Sequence, residues 1–143
     1  FTKETRERPW YVIDLDGQVL GRAAAGIAKL LIGKNQPHYT PGQDTGGFVI
    51  AINASKVKVT GNKREDKMYY RHSGYPGGIR SKSFSQRISS EPGEVVRDAV
   101  KGMLPKNKLG ARLITKFKIY EGENHPHSAQ QAQIVSAEQL AEL

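Results

Sequence analysis

Two short apolar runs, separated by a helical pattern, are the feature that most restricts how this chain can fold. Residues 10–14 read WYVID, and residues 48–52 read FVIAI, a continuous run typical of a strand buried on both faces of a parallel sheet. Between them, residues 20–32 are predicted as a helix capped by Gly33, because their apolar side chains fall on one side at about 100° per residue. A strand, a short turn and a helix in this order predict an α/β fold.

Alternation of apolar and charged residues predicts two further strands. In residues 56–60, Val57 and Val59 are expected to point inward while the lysines beside them point outward. Residues 116–120 alternate in the same way and are predicted to form the last strand, which ends at Gly122.

Three further helices are predicted. Residues 81–89 are expected to form a short one, and a longer one is expected to begin at Pro92 and to end at Pro105. The inner stripe of the longer helix is predicted to consist of Val96, Ala99, Val100 and Met103. Residues 136–139, with the sequence SAEQ, fit a capping box for a short final helix.

The length of 143 residues predicts one domain with a modest core. We expect a core of about residues 9–122, a long basic loop of about 60–83 and an extended tail of about 123–143. The absence of cysteine from the sequence excludes disulfides and thiolate metal sites. The sequence has no apolar run near the ~20 residues of a membrane span, and its start lacks an apolar signal region. We therefore expect a cytoplasmic protein without membrane contacts.

Charge is distributed unevenly along the chain. The formal net charge is +8, but residues 22–120 sum to +13 and residues 121–143 to −4. Residues 101–118 contain six cations and no acidic residue. A basic body of this kind favours a polyanionic partner.

The most basic segment, residues 56–82, combines three residue types that suit RNA binding. It has eight Lys or Arg against two acids, three tyrosines, one histidine and four glycines. Cations neutralise phosphates, aromatic rings stack on unpaired bases, and glycines let the backbone approach a polyanion. Because Tyr69 and Tyr70 are adjacent, an extended segment would direct them to opposite sides, so that one anchors the loop and the other faces RNA.

The two basic segments therefore supply the candidate RNA-binding residues. These are Lys56, Lys58, Lys63, Arg64, Lys67, Tyr69, Tyr70, Arg71, His72, Tyr75, Arg80, Lys82, Lys101, Lys106, Lys108, Arg112, Lys116 and Lys118.

Two enzymatic or nucleotide-binding alternatives compete with this hypothesis. Residues 21–26, GRAAAG, have the spacing that opens a phosphate-binding loop, but Ile27 and Ala28 stand where Lys and Ser or Thr would be needed. His72 beside Arg71 could in principle cleave RNA, but no carboxylate or second histidine lies nearby in sequence to orient it. We therefore predict no catalytic residue, no small-molecule substrate and no cofactor.

Metal binding would have to use the histidines of the chain. Only His125 and His127 are close in sequence, and Pro126 between them favours an extended turn. No carboxylate or further histidine lies at ligand spacing near them, so we predict no metal site.

Five segments of the sequence resemble one known family. VTGNK with DKMYYRHSGYPGG (59–63 and 66–78) and VKGMLPKNKLGARLITKFKIYEG (100–122) closely resemble signatures of the bacterial large-subunit ribosomal protein thirteen family. LDGQVLGRAAAGIAKLLIGK (15–34) and YTPGQDTGGFVIAINASKV (39–57) match the same family in order. The resemblance covers about residues 9–135, while residues 1–8 and 136–143 lie outside it.

The resemblance implies a three-layer α/β/α core with a small, mainly parallel sheet of about four strands. It also implies a non-enzymatic structural role: binding of large-subunit, 23S-type rRNA and support of early subunit assembly, beside neighbouring large-subunit proteins. RNA contact carries over to the matching residues Lys63, Arg64, Lys67, Arg71, His72, Arg80, Lys82, Lys101, Lys106, Lys108 and Arg112. A regulatory protein-interaction role outside the ribosome remains an open alternative.

Overall fold

The computed structural model describes residues 8–143, so the expectations about the first seven residues lie outside the described part. A four-stranded sheet is made by β1 (Trp10–Asp14), β2 (Phe48–Ile52), β5 (Phe117–Ile119) and β6 (Gln133–Val135). Its strand order is β5-β2-β1-β6, and all three pairings are parallel. The predicted bounds of β1 and β2 agree with the structure.

The remaining elements lie between and after these strands. The helices are α1 (Leu20–Ile32), α2 (Lys63–Asp66), α3 (Phe84–Ser90), α4 (Pro92–Met103), α5 (Lys108–Leu113) and α6 (Ala137–Glu142). A separate antiparallel hairpin pairs β3 (Met68–His72) with β4 (Ile79–Ser83). Single turns of 3₁₀ helix occur at Ala54–Lys56, Ile114–Lys116 and Ser128–Gln130.

The main core lies on the side of the sheet where α1 and α4 pack against each other. Tyr11, Ile13 and Phe117 from the sheet meet the buried sides of both helices there. Helix α6 returns to the same side, because Leu140 is buried and α6 contacts α1. Because crossovers between parallel strands are right-handed, the connections from β1 to β2 and from β2 to β5 share this side.

The opposite side of the sheet is covered by the chain between β5 and β6. The rings of Trp10 and Phe48 stack there with their centres 4.4 Å apart, and the ring of His127 lies 5.5 Å from that of Trp10. The Tyr120 hydroxyl lies 2.6 Å from His127 Nε2. This layer includes the 3₁₀ turn Ser128–Gln130, so helical structure flanks both sides of the parallel sheet, and the predicted fold class is confirmed.

Predicted helix ends agree with the structure in several places. Gly33 has φ 90° at the end of α1, where its N–H donates to the Lys29 carbonyl. Pro92 occupies the first position of α4, and Ser136 forms the predicted capping box with Gln139 at the start of α6.

The prediction of a strand over residues 56–60 is wrong. Residues 54–56 form a 3₁₀ turn, and the following segment pairs only at one bridge, between Val19 and Lys58. Its backbone bonds to residues 17–20, which lead into α1 and include its first residue, instead of to the sheet. Val57 is buried and Val59 half-buried while Lys56 and Lys58 are exposed, so the inward and outward sides were predicted correctly.

The predictions for the tail and for the basic loop also need correction. The last strand of the sheet is β6, which follows β5 and pairs with β1, so residues 123–143 are not only an extended tail. Residues 60–83 contain helix α2 and the β3–β4 hairpin instead of an irregular loop. Helix α3 begins at Phe84, later than predicted, because residues 79–83 pair with β3.

The inner stripe of α4 differs from the prediction by one residue. Val95, Val96 and Val100 are buried and Ala99 is half-buried, whereas Met103 is 44% exposed. Met103 is the last residue of the helix, so the side chains that cover the core belong to the earlier turns.

Gly46 allows the loop before β2 to pass close to the end of α1. A methyl group on Gly46 would lie 2.8 Å from the Leu30 carbonyl oxygen and still closer to that of Leu31. Both neighbours are backbone atoms that cannot turn away, so this position requires glycine.

We therefore expect Gly46→Ala to lower the free energy of unfolding by about 1–3 kcal/mol through overpacking. Gly102→Ala is the matched control, because Gly102 is helical and a methyl group there meets nothing within 4 Å. The control should raise stability by up to about 1 kcal/mol. Urea unfolding measures both values, and equal effects of the two variants would contradict the close approach.

Candidate nucleic-acid interface

The β3–β4 hairpin presents two chemically different faces. Cross-strand partners share a face, and successive residues alternate between faces. One face, named here the cationic face, carries Tyr69, Arg71, Arg80 and Lys82, through the pairs Tyr69 with Lys82 and Arg71 with Arg80. The other, named the neutral face, carries Met68, Tyr70, His72, Ile79, Ser81 and Ser83.

The turn of the hairpin is held by its own backbone. The Ser73 N–H donates to the Gly78 carbonyl at 3.1 Å, and Gly74 and Gly77 take φ angles of 88° and 69°. Such angles are easy only for glycine. Tyr75 lies at this turn with 76% of its surface exposed.

Tyr69 is the one of the two adjacent tyrosines that anchors the hairpin to the body of the protein, and its contact with RNA stays a prediction. Its ring centre lies 4.6 Å from the Arg87 guanidinium and 5.3 Å from the Lys67 ammonium. Burial raises the pKa of the Tyr69 phenol, the charge of Arg87 opposes this shift, and Asp98 adds to it. Tyr70 is 69% exposed, which confirms that the two adjacent rings point to opposite sides.

Ion pairs connect the base of the hairpin to α4. Arg87 Nη2 lies 2.7 Å from Asp98 Oδ2, and Arg87 Nε lies 3.8 Å from Glu91 Oε1. Lys82 Nζ approaches the same Glu91 oxygen at 3.3 Å. Together with Glu94, these carboxylates line one wall of a cleft of about 560 Å³ beneath the hairpin.

Most candidate cations of the hairpin region are exposed. Lys63 and Arg64 lie in α2, Lys67 lies just before β3, and Arg71 and Arg80 lie in the hairpin. Among residues 8–143, the ion pairs involve Arg8, Lys82, Arg87, Arg97 and Lys116, and none of these five exposed cations. An uncompensated group of cations of this kind is suited to contact phosphates.

The second basic segment begins in the last turn of α4 and continues into α5. Lys101, Lys106, Lys108 and Arg112 are all exposed. The Asn107 side chain accepts a hydrogen bond from the Gly110 N–H at 2.9 Å and so caps α5. Because α4 has 12 residues, its length of roughly 18 Å separates this segment from the base of the hairpin.

Lys116 is the clearest correction among the predicted RNA contacts. Only 5% of its surface is exposed, and Nζ lies 2.5 Å from Asp44 Oδ1 and 3.3 Å from the Leu31 carbonyl. Arg8 contacts the other Asp44 oxygen at 3.2 Å. Burial lowers the pKa of the Lys116 ammonium, and Asp44 opposes this shift. Lys116 therefore joins the loop before β2 to the sheet and cannot reach a phosphate.

The other candidates lie outside these two groups. Lys118 is half-buried in β5, while Lys56 and Lys58 are exposed on the segment beside residues 17–20. His72 is exposed, and its Nδ1 accepts a hydrogen bond from the Gly74 N–H at 2.9 Å, so the turn orients its ring.

Sequence reasoning missed the residues that position the hairpin. Arg87, Glu91 and Asp98 were not predicted to act on it. Their spacing along the chain gives no local signal. It becomes meaningful only in the fold, where α3 contacts β4 and packs against α4, and the carboxylates line the cleft beneath the hairpin. The hydrophobic stripe of α4 was the one available clue that its other side carries charge.

Fold and surface together define a class: an α/β protein with two groups of exposed cations on its surface. Residues 8–126 match the family described as Ribosomal protein L13. A relative from Syntrophotalea carbinolica named large ribosomal subunit protein uL13 is 55% identical over 129 residues, which cover 90% of this chain and 91% of the relative. Relatives of the same name from Pseudomonas paraeruginosa and Geobacter sulfurreducens are 55% and 54% identical, covering 91% and 90% of this chain and 92% and 90% of theirs.

The chain belongs to the ribosomal protein L13 family, as its motifs predicted. Members of this family are structural, non-enzymatic components of the large ribosomal subunit, which operates in the bacterial cytoplasm. No helix within residues 8–143 is long and apolar enough to cross a membrane.

The structural role of Lys116 can be tested by removing its counter-charge. Asp44→Asn leaves a buried ammonium without a carboxylate, and we expect a loss of about 3 kcal/mol in unfolding free energy. Asp66→Asn is the control, because Asp66 is exposed, and its effect should stay within about 0.5 kcal/mol. Thermal unfolding of both variants measures the difference. A stable Asp44→Asn variant with weakened RNA binding would return Lys116 to the interface.

Proposed function

We propose that this protein binds large-subunit rRNA through the basic segments at the two ends of α4. The observation that carries the proposal is the grouping of exposed cations without carboxylate partners on the hairpin region and around α5. The proposed contacts among these cations are Lys63, Arg64, Lys67, Arg71 and Arg80 in the hairpin region, and Lys101, Lys106, Lys108 and Arg112 around α5. Lys82 is a further proposed contact, although it pairs with Glu91 in the free protein.

The mechanism is the electrostatic stabilisation of closely spaced RNA segments. Phosphate backbones repel one another when they come together, and immobilised lysine and arginine side chains offset this repulsion. In the free protein, Lys82 forms an ion pair with Glu91 at the surface. Exposed pairs contribute only about 0–1 kcal/mol, so a phosphate can take the place of this carboxylate. Recognition would follow RNA shape and backbone more than base sequence.

We also propose that binding occurs early in subunit assembly and that neighbouring large-subunit proteins contact the protein later. A rigid core with cations at both ends of one helix can hold two RNA segments before other proteins arrive. Lys56, Lys58 and Lys118 are secondary candidates for these contacts, since they lie away from both groups.

Salt dependence tests the RNA-binding proposal directly. The affinity for a large-subunit rRNA transcript should fall steeply with salt, with a log–log slope of several units. Replacing Lys63, Arg64 and Arg71 together by Ala should reduce the slope by about two units, because each lost phosphate contact removes about 0.7–0.9. Filter binding at four or more salt concentrations measures the slope.

The matched control replaces exposed cations outside the proposed interface. Arg22→Ala with Lys34→Ala removes charge from α1 and the turn after it, and it should leave the slope nearly unchanged. The melting temperature of the triple variant should equal that of the unmodified protein. A flat salt response of the unmodified protein, or unfolding of the triple variant, contradicts the assignment.

Order of addition tests the early role. The protein should bind large-subunit rRNA that carries no other protein, because its proposed contacts are to RNA alone. Gradient sedimentation after mixing with deproteinised rRNA measures this association. A requirement for previously bound ribosomal proteins would contradict an early role while leaving RNA binding intact.

A further inference from the structure

The neutral face of the hairpin is exposed although it carries large apolar and aromatic side chains. Among residues 8–143, six large hydrophobic side chains are exposed, and four of them belong to the hairpin or its turn: Met68, Tyr70, Tyr75 and Ile79. Tyr70 is 69% and Ile79 60% exposed. Exposed apolar groups collected in one place mark an interaction site.

Charge is segregated between the two faces of the hairpin. Arg71, Arg80 and Lys82 all lie on the cationic face, whereas the neutral face has no Lys, Arg, Asp or Glu. The cationic face would therefore bind a phosphate backbone, whereas the neutral face could contact phosphates only at its edges. The neutral face is therefore suited to the uncharged part of a nucleic acid, which is the base.

Tyr70 and His72 occupy the neutral face two residues apart on the same strand, so their side chains stand roughly 7 Å from each other. Ile79 lies opposite His72, and Ser81 lies opposite Tyr70. The arrangement sets flat rings and a hydroxyl group on one sheet surface. Aromatic rings on an open sheet surface bind RNA elsewhere by stacking on two or three unpaired bases.

The ring of His72 is oriented before any ligand binds. Its Nδ1 accepts the Gly74 N–H at 2.9 Å, so that nitrogen carries no proton in this arrangement. The turn that supplies this N–H is itself closed by the bond between Ser73 and Gly78. A ring held in place loses less conformational freedom on stacking than a mobile one does.

From this geometry we propose that the neutral face is a stacking platform for unpaired nucleotides of the rRNA, with Tyr70 and His72 as its two rings. The inference rests on the proposed function and adds its chemistry: the cationic face holds phosphates, and the neutral face holds bases. A protein partner fits less well. An ordinary protein interface covers about 800 Å² on each side, and it would also bury the uncompensated cations that border this face.

The discriminating variant is Tyr70→Ala. Stacking carries no net charge, so this variant should weaken rRNA binding by about tenfold or more and leave the log–log salt slope unchanged. Arg80→Ala is the matched variant on the cationic face and should reduce the slope by about one unit. Tyr70→Phe keeps the ring and should bind like the unmodified protein.

Chemical probing of the rRNA locates the bases. Dimethyl sulfate modifies the pairing edges of unpaired adenine and cytosine, so bases accessible in free rRNA should become protected by the unmodified protein and by Tyr70→Phe. In the Tyr70→Ala complex these bases should react again, while the phosphate backbone should stay protected from cleavage. His72→Ala should make a base next to the one that stacks on Tyr70 reactive towards dimethyl sulfate.

The outcomes separate the two proposals. If Tyr70→Ala binds rRNA as tightly as the unmodified protein, with the same steep salt slope and the same base protections, the stacking platform is wrong and RNA binding stands. If the unmodified protein shows no salt-dependent binding, both proposals fail. A Tyr70→Ala variant that loses salt slope as well would show that the two faces do not act separately, which also overturns the inference.

Discussion

The burial of one side of α4 determines where both basic segments lie. Val95, Val96 and Val100 are at most 1% exposed, and they press this helix against α1 and the sheet. Each such side chain contributes about 1.5–3 kcal/mol when it is fully buried. Because one rigid helix carries a basic segment at each end, apolar packing in the core sets the separation of the cations that face solvent.

The outer side of α4 has a second role. Asp98 on this side pairs with Arg87, and Glu91 just before the helix pairs with Arg87 and with Lys82 at the base of the hairpin. The cations nearer the hairpin turn, Arg71 and Arg80, form no ion pair within residues 8–143. Attraction at the base therefore orients the hairpin, while Arg71 and Arg80 stay exposed at the border of the cleft beneath it. A disordered arm of equal charge would lose more conformational entropy on binding RNA.

Local patterns in the sequence predicted much of the fold, and long-range contacts account for what they missed. The apolar run of β2 and the helical pattern of α1 predicted the correct bounds, because burial against the core determines which positions of each element are apolar. Residues 56–60 alternate like a strand, but their partner is the segment 17–20, which periodicity does not reveal. Strand β6 has only three residues, too few for a recognisable period.

The same distinction explains the functional site. Alternation along β3 predicted that Tyr69 and Tyr70 point to opposite sides, since this is a local property of extended chain. Nothing local distinguishes Lys116 from Lys118, and only the position of Asp44, 72 residues away from Lys116 in sequence, makes the first a buried structural cation. Charge counts therefore identify a basic surface, but only the carboxylates that the fold brings near show which cations are buried in ion pairs and which stay exposed.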